Sequence, residues 1–393
     1  MSKKMKIMIV AGEASGDRHA AKLVTAIRKI YGSENLEFFG AAGPLMRDAG
    51  VEPVVDSDHF SVVGLPEIGR ALPMFLRAFR ALGRAAREEK PDAVILVDFP
   101  DFNLKLAKSL KKQGFSVIYY ISPQIWAWRK YRIRSIRKYV DLIITILPFE
   151  KEWYAAHGVE NVVFVGSPLA REVHSDTDRQ AVCSEYGIDP SRPIVSLLPG
   201  SRSREISRIL PIMLKATERL RGDWPHAQFL VAVSEGRNFE DAERILADFN
   251  TAKLKPLDCI KVVKNRTYDA LNASDAAAVT SGTATLEAGI IGTPMAIVYK
   301  TSALNYTLLR PLISVEHFGL INLIAGERVA KELIQGDFTP RKLAEEIARI
   351  LDPSENALIR RRLAEATEKL GHGGASHRAA EAVLSHICGD GGI

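Results

Sequence analysis

The chain has 393 residues, 47% of them hydrophobic and 25% charged, close to an ordinary soluble protein and too long for one compact core. This excludes a disordered chain, a collagen and a coiled-coil rod, and the length suits two domains. The 53 basic residues against 47 acidic ones give a charge of +6, too mild to imply nucleic acid by its sum alone. Apolar runs are strand-sized, well short of the ~20 residues a membrane-spanning helix needs. The stretch after Lys3, Lys4 and Lys6 breaks at Gly12-Glu13, too early for a secretory signal, so the expected compartment is the cytoplasm. Cys183, Cys259 and Cys388 form no CxxC pair, which speaks against a disulfide scaffold or a cysteine-built zinc site.

In chain order, residues 6–11 (KIMIVA) read as a buried strand, followed by a helix over 17–31. Strands at 93–98, 117–121 and 142–147 follow, with helices at 104–112 and 149–157. Strands spaced by helical patterns predict βαβ units and a parallel sheet. From Gly166-Ser167-Pro168 to about residue 193 the composition turns polar and charged, the expected linker. Strands resume at 194–198, 228–233, 260–263, 276–280 and 295–299, with helices up to about 220 and over 239–249, and 340–387 reads as purely helical. The predicted organisation is two doubly wound α/β domains. Ligands are expected outside the carboxyl ends of the strands and in the cleft between domains.

Four turns carry chemistry. The first, Gly12-Glu13-Ala14-Ser15-Gly16-Asp17, lets backbone approach a ligand at a helix start but is neither GxGxxG nor a P-loop. Its carboxylates suit sugar hydroxyls better than phosphate, and the alternative is a simple helix cap by Ser15 or Asp17. Asp98 ends a strand before Phe99-Pro100-Asp101-Phe102-Asn103 and suits a general base for a hydroxyl nucleophile, with Asp101 or Asn103 the better cap. Gly200-Ser201-Arg202 offers backbone N–H groups and a guanidinium fork to a diphosphate. Ser281-Gly282-Thr283 again favours phosphate, and Glu287 further along that helix suits ribose hydroxyls. Two ordinary capped helices are the alternative for this pair.

Two basic stretches remain. Over 66–90, Arg70, Arg77, Arg80, Arg84 and Arg87 form one helical stripe, and Ile68, Leu72, Phe75, Phe79 and Leu82 the other. This describes a membrane-surface helix or an ordinary helix packed on a core. From Trp126 to Lys138 there is no acid, a run that suits single-stranded nucleic acid, an anionic lipid surface or a phosphorylated substrate. None of the nine histidines forms HExxH or another metal spacing.

Taken together, AGEASGD at 11–17, DFPDFN at 98–103, SPQIWAWR at 122–129, LPFEKEWY at 147–154, LLPGSRSRE at 197–205, SGTATLE at 281–287 and NLIAGERVAKELIQ at 322–335 resemble the lipid-A-disaccharide synthase family, in family order and over nearly the full length. The resemblance implies the GT-B glycosyltransferase architecture: two Rossmann-like domains facing a cleft, with C-terminal helices returning to the first. The expected boundaries are 1–170 for an acceptor and membrane-contact domain, 171–355 for a UDP-sugar domain and 356–393 for the returning helices. It also implies the reaction. UDP-2,3-diacylglucosamine gives its sugar to the 6-hydroxyl of 2,3-diacylglucosamine 1-phosphate, forming a β-1,6 disaccharide phosphate and UDP with inversion, without metal or cofactor. By the same resemblance Asp98 is the base, Arg202 holds the diphosphate, Glu287 grips ribose and Asn322 lies near the nucleotide. Glu13, Ser15, Gly16, Asp17, Gly200, Ser201, Ser281, Gly282 and Thr283 complete the substrate contacts. Where members usually read SLPN, this chain has Phe318-Gly319-Leu320-Ile321-Asn322. Acyl-chain substrates imply that Leu72, Phe75, Leu76, Arg77, Phe79 and Arg80 meet an anionic membrane, the inner face of a Gram-negative inner membrane. They leave monomer and homodimer open and give nucleic acid no part. The rival readings are another GT-B UDP-N-acetylglucosamine enzyme (an epimerase or a peptidoglycan-type transferase) and a non-enzymatic nucleotide or nucleic-acid binding module.

Overall fold

The computed structural model describes residues 4–57, 68–251, 258–302, 306 and 315–389, without the side chains of 68–71. The chain forms two compact units, Met1–Pro168 with Gly373–Ile393, and Leu169–His372.

The first unit is built on a seven-stranded parallel sheet of β1 (Met5–Ala11), β2 (Leu36–Ala42), β3 (Val51–Asp56), β4 (Ala93–Val97), β5 (Val117–Tyr120), β6 (Leu142–Thr145) and β7 (Val162–Phe164), in the order β3-β2-β1-β4-β5-β6-β7. Successive side chains of a strand point to opposite faces, so a strand covered on both sides is apolar throughout. Ile7, Ile9, Ile95 and Val97 accordingly join one core layer with the helix Ala14–Tyr31, while Met8, Val10, Val94 and Leu96 join the other with Leu82 and Ala86 of the helix Ile68–Glu89. The sequence reading has no strand between residues 31 and 93, where β2 and β3 lie. The register of β2 on β3 slips at Gly40/Ala41, and β3 carries Pro53 at the sheet edge, where no ladder donor is missed.

The second unit has six parallel strands, β8 (Ile194–Leu198), β9 (Gln228–Val233), β10 (Ile260–Lys264), β11 (Ala276–Thr280), β12 (Met295–Tyr299) and β13 (Glu332–Ile334), in the order β10-β9-β8-β11-β12-β13. The sequence reading misses β13, a three-residue edge strand. In both sheets the order reverses direction between two central strands, β1 and β4 in the first unit, β8 and β11 in the second. The loops leaving their carboxyl ends diverge there and open a crevice.

The expected linker carries structure. Residues 169–193 belong to the second unit and contain the helices Leu169–Glu172 and Arg179–Tyr186. Charges of the second helix are partnered: Asp178 caps it through Ala181 N, and Arg179 binds both carboxylate oxygens of Asp275 at 2.8 and 3.0 Å. Of the C-terminal helices, Pro353–Glu368 lies in the second unit and Ala375–Cys388 in the first. The latter packs on Ala14–Tyr31, fastened by Arg378 Nε donating to Val165 O at 2.8 Å and a 2.9 Å bond between His386 and Ser116.

Candidate active site

At the first unit's switch point, β1 runs into the Gly12–Asp17 turn and β4 into Asp98. Asp98 and Phe99 both have positive φ, 47° and 49°, an uncommon backbone for residues with side chains. The strain is held from several sides. Tyr119 Oη donates to the Asp98 carbonyl at 2.6 Å, and Asn103 Nδ2 donates to the same oxygen at 2.8 Å and to Val97 O at 3.2 Å. Gly12 faces the Phe99 ring so closely that a Cβ there would lie 2.3 Å from a ring carbon. Burial of Asp98, helped by the negative charge of Glu13, pushes its carboxyl up to about 6, while the Phe99 N–H pulls the other way. An acid near 6 is ionised at neutral pH and still basic enough to take a proton.

Glu13 and Ser15 are exposed at the turn, and Gly16 is buried against β4. Asp17 does not fulfil its expected substrate role. Its buried carboxylate accepts from Gly43 N, Leu45 N and Met46 N at 3.0–3.1 Å, tying the β2 exit to the helix Ala14–Tyr31.

In the second unit the predicted residues converge. Gly200, Ser201, Arg202, Ser281, Gly282, Thr283 and Glu287 line one cavity of about 440 Å³ above β8 and β11. Thr280 Oγ1, donating to Leu198 O at 2.8 Å, pins the two strand ends together beneath it. Glu287 accepts from Tyr268 Oη at 3.1 Å, and burial holds its carboxyl above the usual carboxylate range. A residue the sequence reading passed over, Glu205, orders the first turn: its carboxylate accepts from Ser201 N at 3.2 Å and from Arg202 Nη1 at 3.1 Å. Gly200 has φ +118°, and a Cβ there would sit 2.7 Å from Glu205 Oε2, so both backbone and space require glycine. Arg202 itself is 80% exposed, so its guanidinium is open to an anion.

Asn322 is the second correction. It is fully buried, with Nδ2 donating to Ala330 O at 2.7 Å and Glu332 at 3.0 Å, and Oδ1 accepting from Ala330 N at 2.9 Å. It positions the helix Leu320–Ala325 rather than a ligand. The loop without the family proline is held by Glu332, which accepts from Phe318 N and Gly319 N at 2.9 Å, and by Ser281 Oγ donating to Phe318 O at 2.8 Å.

The helix Ile68–Glu89 divides differently from its sequence stripes. Arg77, Arg80, Arg84 and Arg87 are exposed; Arg70 lies outside the described side chains. Leu72 and Leu76, 57% and 47% exposed, lie on the outside with them rather than on the core face. Phe75 packs on Phe99 beside Asp98 with tilted rings 6.0 Å apart, and Phe79 meets Phe102 edge-on at 6.1 Å.

A fully buried carboxylate, Glu150, anchors the SPQIWAW loop. It accepts from Ser122 Oγ, Trp126 Nε1 and Leu147 N at 3.0–3.2 Å, while burial pushes its carboxyl up to about 7. Single residues of this kind give no local sequence signal, because their partners are distant in the chain.

With this geometry in hand, the model of the family described as lipid-A-disaccharide synthetase matches residues 7–386. The chain belongs to the lipid-A-disaccharide synthase family. The synthases of Trichlorobacter lovleyi and Syntrophus aciditrophicus are each 44% identical to it, over 383 and 382 residues, with 97% of both chains covered. That of Myxococcus xanthus is 43% identical over 385 residues, 98% of each chain. Among solved structures, the UDP-N-acetylglucosamine 2-epimerase of Neisseria meningitidis, bound to UDP-GlcNAc, has a TM-score of 0.61 at 13% identity, covering 98% of this chain and 100% of that one. The calicheamicin glycosyltransferase has 0.61 at 17%, covering 100% of both. These two likenesses are of fold, and the fold is GT-B. As a member of the synthase family, the chain is a hexosyltransferase of lipid A biosynthesis, and the epimerase and binding-module readings are not favoured.

Proposed function

We propose that the chain condenses UDP-2,3-diacylglucosamine with 2,3-diacylglucosamine 1-phosphate, using the cavity above β8 and β11 for the nucleotide and Asp98 as base. The convergence of both turns and Glu287 in one cavity carries the reading. N–H groups at a helix start and the Arg202 guanidinium suit a diphosphate, and a carboxylate suits paired ribose hydroxyls. In the transfer, the acceptor 6-hydroxyl gives its proton to Asp98 as its oxygen attacks the sugar C1. The bond from C1 to the diphosphate breaks on the opposite side, its electron pair leaves with UDP, and Arg202 stabilises the charge that develops there. One displacement inverts C1, turning an α-linked donor into a β product. Glu13 and Ser15, at the turn beside Asp98, complete the acceptor contacts.

The test is UDP release by the purified chain with both lipid substrates in detergent micelles. Equimolar UDP and disaccharide phosphate are expected; epimerisation of UDP-N-acetylglucosamine without disaccharide would overturn the reading.

Among the described residues no helix is long and apolar enough to cross a membrane. The exposed Leu72 and Leu76, with Arg77 and Arg80 beside them, support contact with the anionic cytoplasmic face of the inner membrane, where the acyl substrates reside. Phe75 and Phe79 line the inner edge of that contact. Serine at both leucines is expected to weaken binding to anionic vesicles, and unchanged binding would remove the contact. Nucleic acid has no part in this reading, and light scattering decides between monomer and homodimer.

A further inference from the structure

The basic run after Trp126 is not absorbed by the proposal so far. Arg132 is a buried arginine, 8% exposed, whose guanidinium makes one hydrogen bond among the described residues, to Asp101 Oδ1. Arg129 Nη1 donates to that same oxygen at 2.9 Å, while its guanidinium stacks over Trp128 at 4.2 Å. Each guanidinium therefore keeps most of its five N–H donors without a described protein acceptor. None of these nitrogens is both sealed from solvent and without a partner, so the remaining donors open outward, where an anion can reach them. Asp101 is 69% exposed and offers both arginines a single oxygen. A phosphomonoester offers three, in the geometry that planar guanidinium forks match.

The place is also specific. Asp101 follows Asp98 by three residues, in the first turn of the helix Pro100–Lys111, and Arg132 and Asp101 lie within electrostatic reach of the Tyr119 phenol, whose hydroxyl bonds the Asp98 carbonyl. The loop that presents the arginines is anchored by the Ser122–Glu150–Trp126 hydrogen bonds, and Arg129 adopts positive φ, 57°. The reacting hydroxyl and the 1-phosphate of the acceptor sit on one sugar ring, so a phosphate subsite must lie within a ring's span of the base.

We propose that Arg129 and Arg132, aligned by Asp101, form the subsite for the acceptor's phosphomonoester and set the preference for a phosphorylated acceptor. This rests on the function proposed above. The experiment compares kcat/KM for 2,3-diacylglucosamine with and without its 1-phosphate, in wild type, Arg129→Gln and Arg132→Gln. The ratio of the two values is expected to fall roughly 10–100-fold in either variant, the worth of a charged hydrogen-bonded contact. An unchanged ratio, or equal losses on both acceptors, overturns the subsite. If Arg132→Gln loses its cooperative melting, Arg129→Gln carries the test, since its side chain is 33% exposed. Binding to vesicles of phosphatidylglycerol and phosphatidylcholine separates a bilayer headgroup from the substrate's phosphate: weakened vesicle binding with an unchanged ratio assigns the arginines to the membrane and overturns the proposal. A wild type that releases no UDP with either acceptor refutes the function and the subsite together, whereas an active wild type whose variants keep the ratio refutes the subsite alone.

Discussion

The two switch points share a topology and differ in almost everything else. That of the second unit is open and made of small or hydroxylated residues, with an exposed cation and one internal acid, Glu205, ordering its turn. That of the first unit is tight: two consecutive residues at positive φ, an aromatic ring packed onto Gly12, and a carboxyl at Asp98 raised by burial and by a second carboxylate. On the function proposed above, the same fold position serves binding where it exposes N–H groups and chemistry where it partly buries an acid.

Asp98→Asn attacks the tight site and has the largest expected effect, a fall in turnover of roughly 10²–10⁴. Its stability moves the other way. Because the folded pKa lies above the unfolded one, the ionised acid destabilises the fold fully above about pH 6, and the penalty fades towards pH 4. The variant should therefore melt higher than wild type at pH 8, with the gap closing as pH falls; a lower melting point at pH 8 would contradict the strained, desolvated acid. On the open site, Arg202→Ala should reduce kcat roughly 10²–10³, the scale of one lost charge-stabilising donor. Equal turnover in single-turnover kinetics would remove Arg202 from the leaving group. Gly200→Ala forces a Cβ into Glu205, and calorimetry should find UDP binding weaker by roughly 10–100-fold, matching about 1–3 kcal/mol of backbone strain. Glu287→Gln keeps an acceptor oxygen and loses only charge, so a donor KM raised about fivefold is expected, with kcat little moved; a larger effect on kcat would draw Glu287 into the chemistry.

Much of this was legible in the sequence, because strands buried on both faces read as continuous apolar runs, and β8, β9, β11 and β12 occupy the residues expected of them. The turns at 200–202 and 281–283 were legible because glycine and hydroxyl residues directly after such a run mark a strand's carboxyl end. What was not legible depends on partners far along the chain. A carboxylate at a helix start reads equally as a ligand contact or a structural acceptor, and only the turn at Gly43–Met46 decides that Asp17 is the latter. Asn322 turns inward for the same reason, to Ala330 and Glu332. Periodicity places Leu72 with Phe79, but Leu72 is exposed while Phe75 and Phe79 turn onto Phe99 and Phe102, a division that depends on partners from the next helix. The charged stretch after Pro168 reads as linker because sequence shows charges and not the ion pairs, such as Arg179 with Asp275, that fold it.

The most direct test of Asp98 as a base tuned by burial and Glu13 is the pH dependence of kcat/KM in wild type and Glu13→Gln, each with the same substrates. The acceptor phosphate also titrates near pH 6 but is identical in both assays. The account predicts an acidic limb near pH 6 in wild type that moves to lower pH when the Glu13 charge is removed. A limb that stays in place, or a wild-type rate that stays flat down to pH 5, would contradict it.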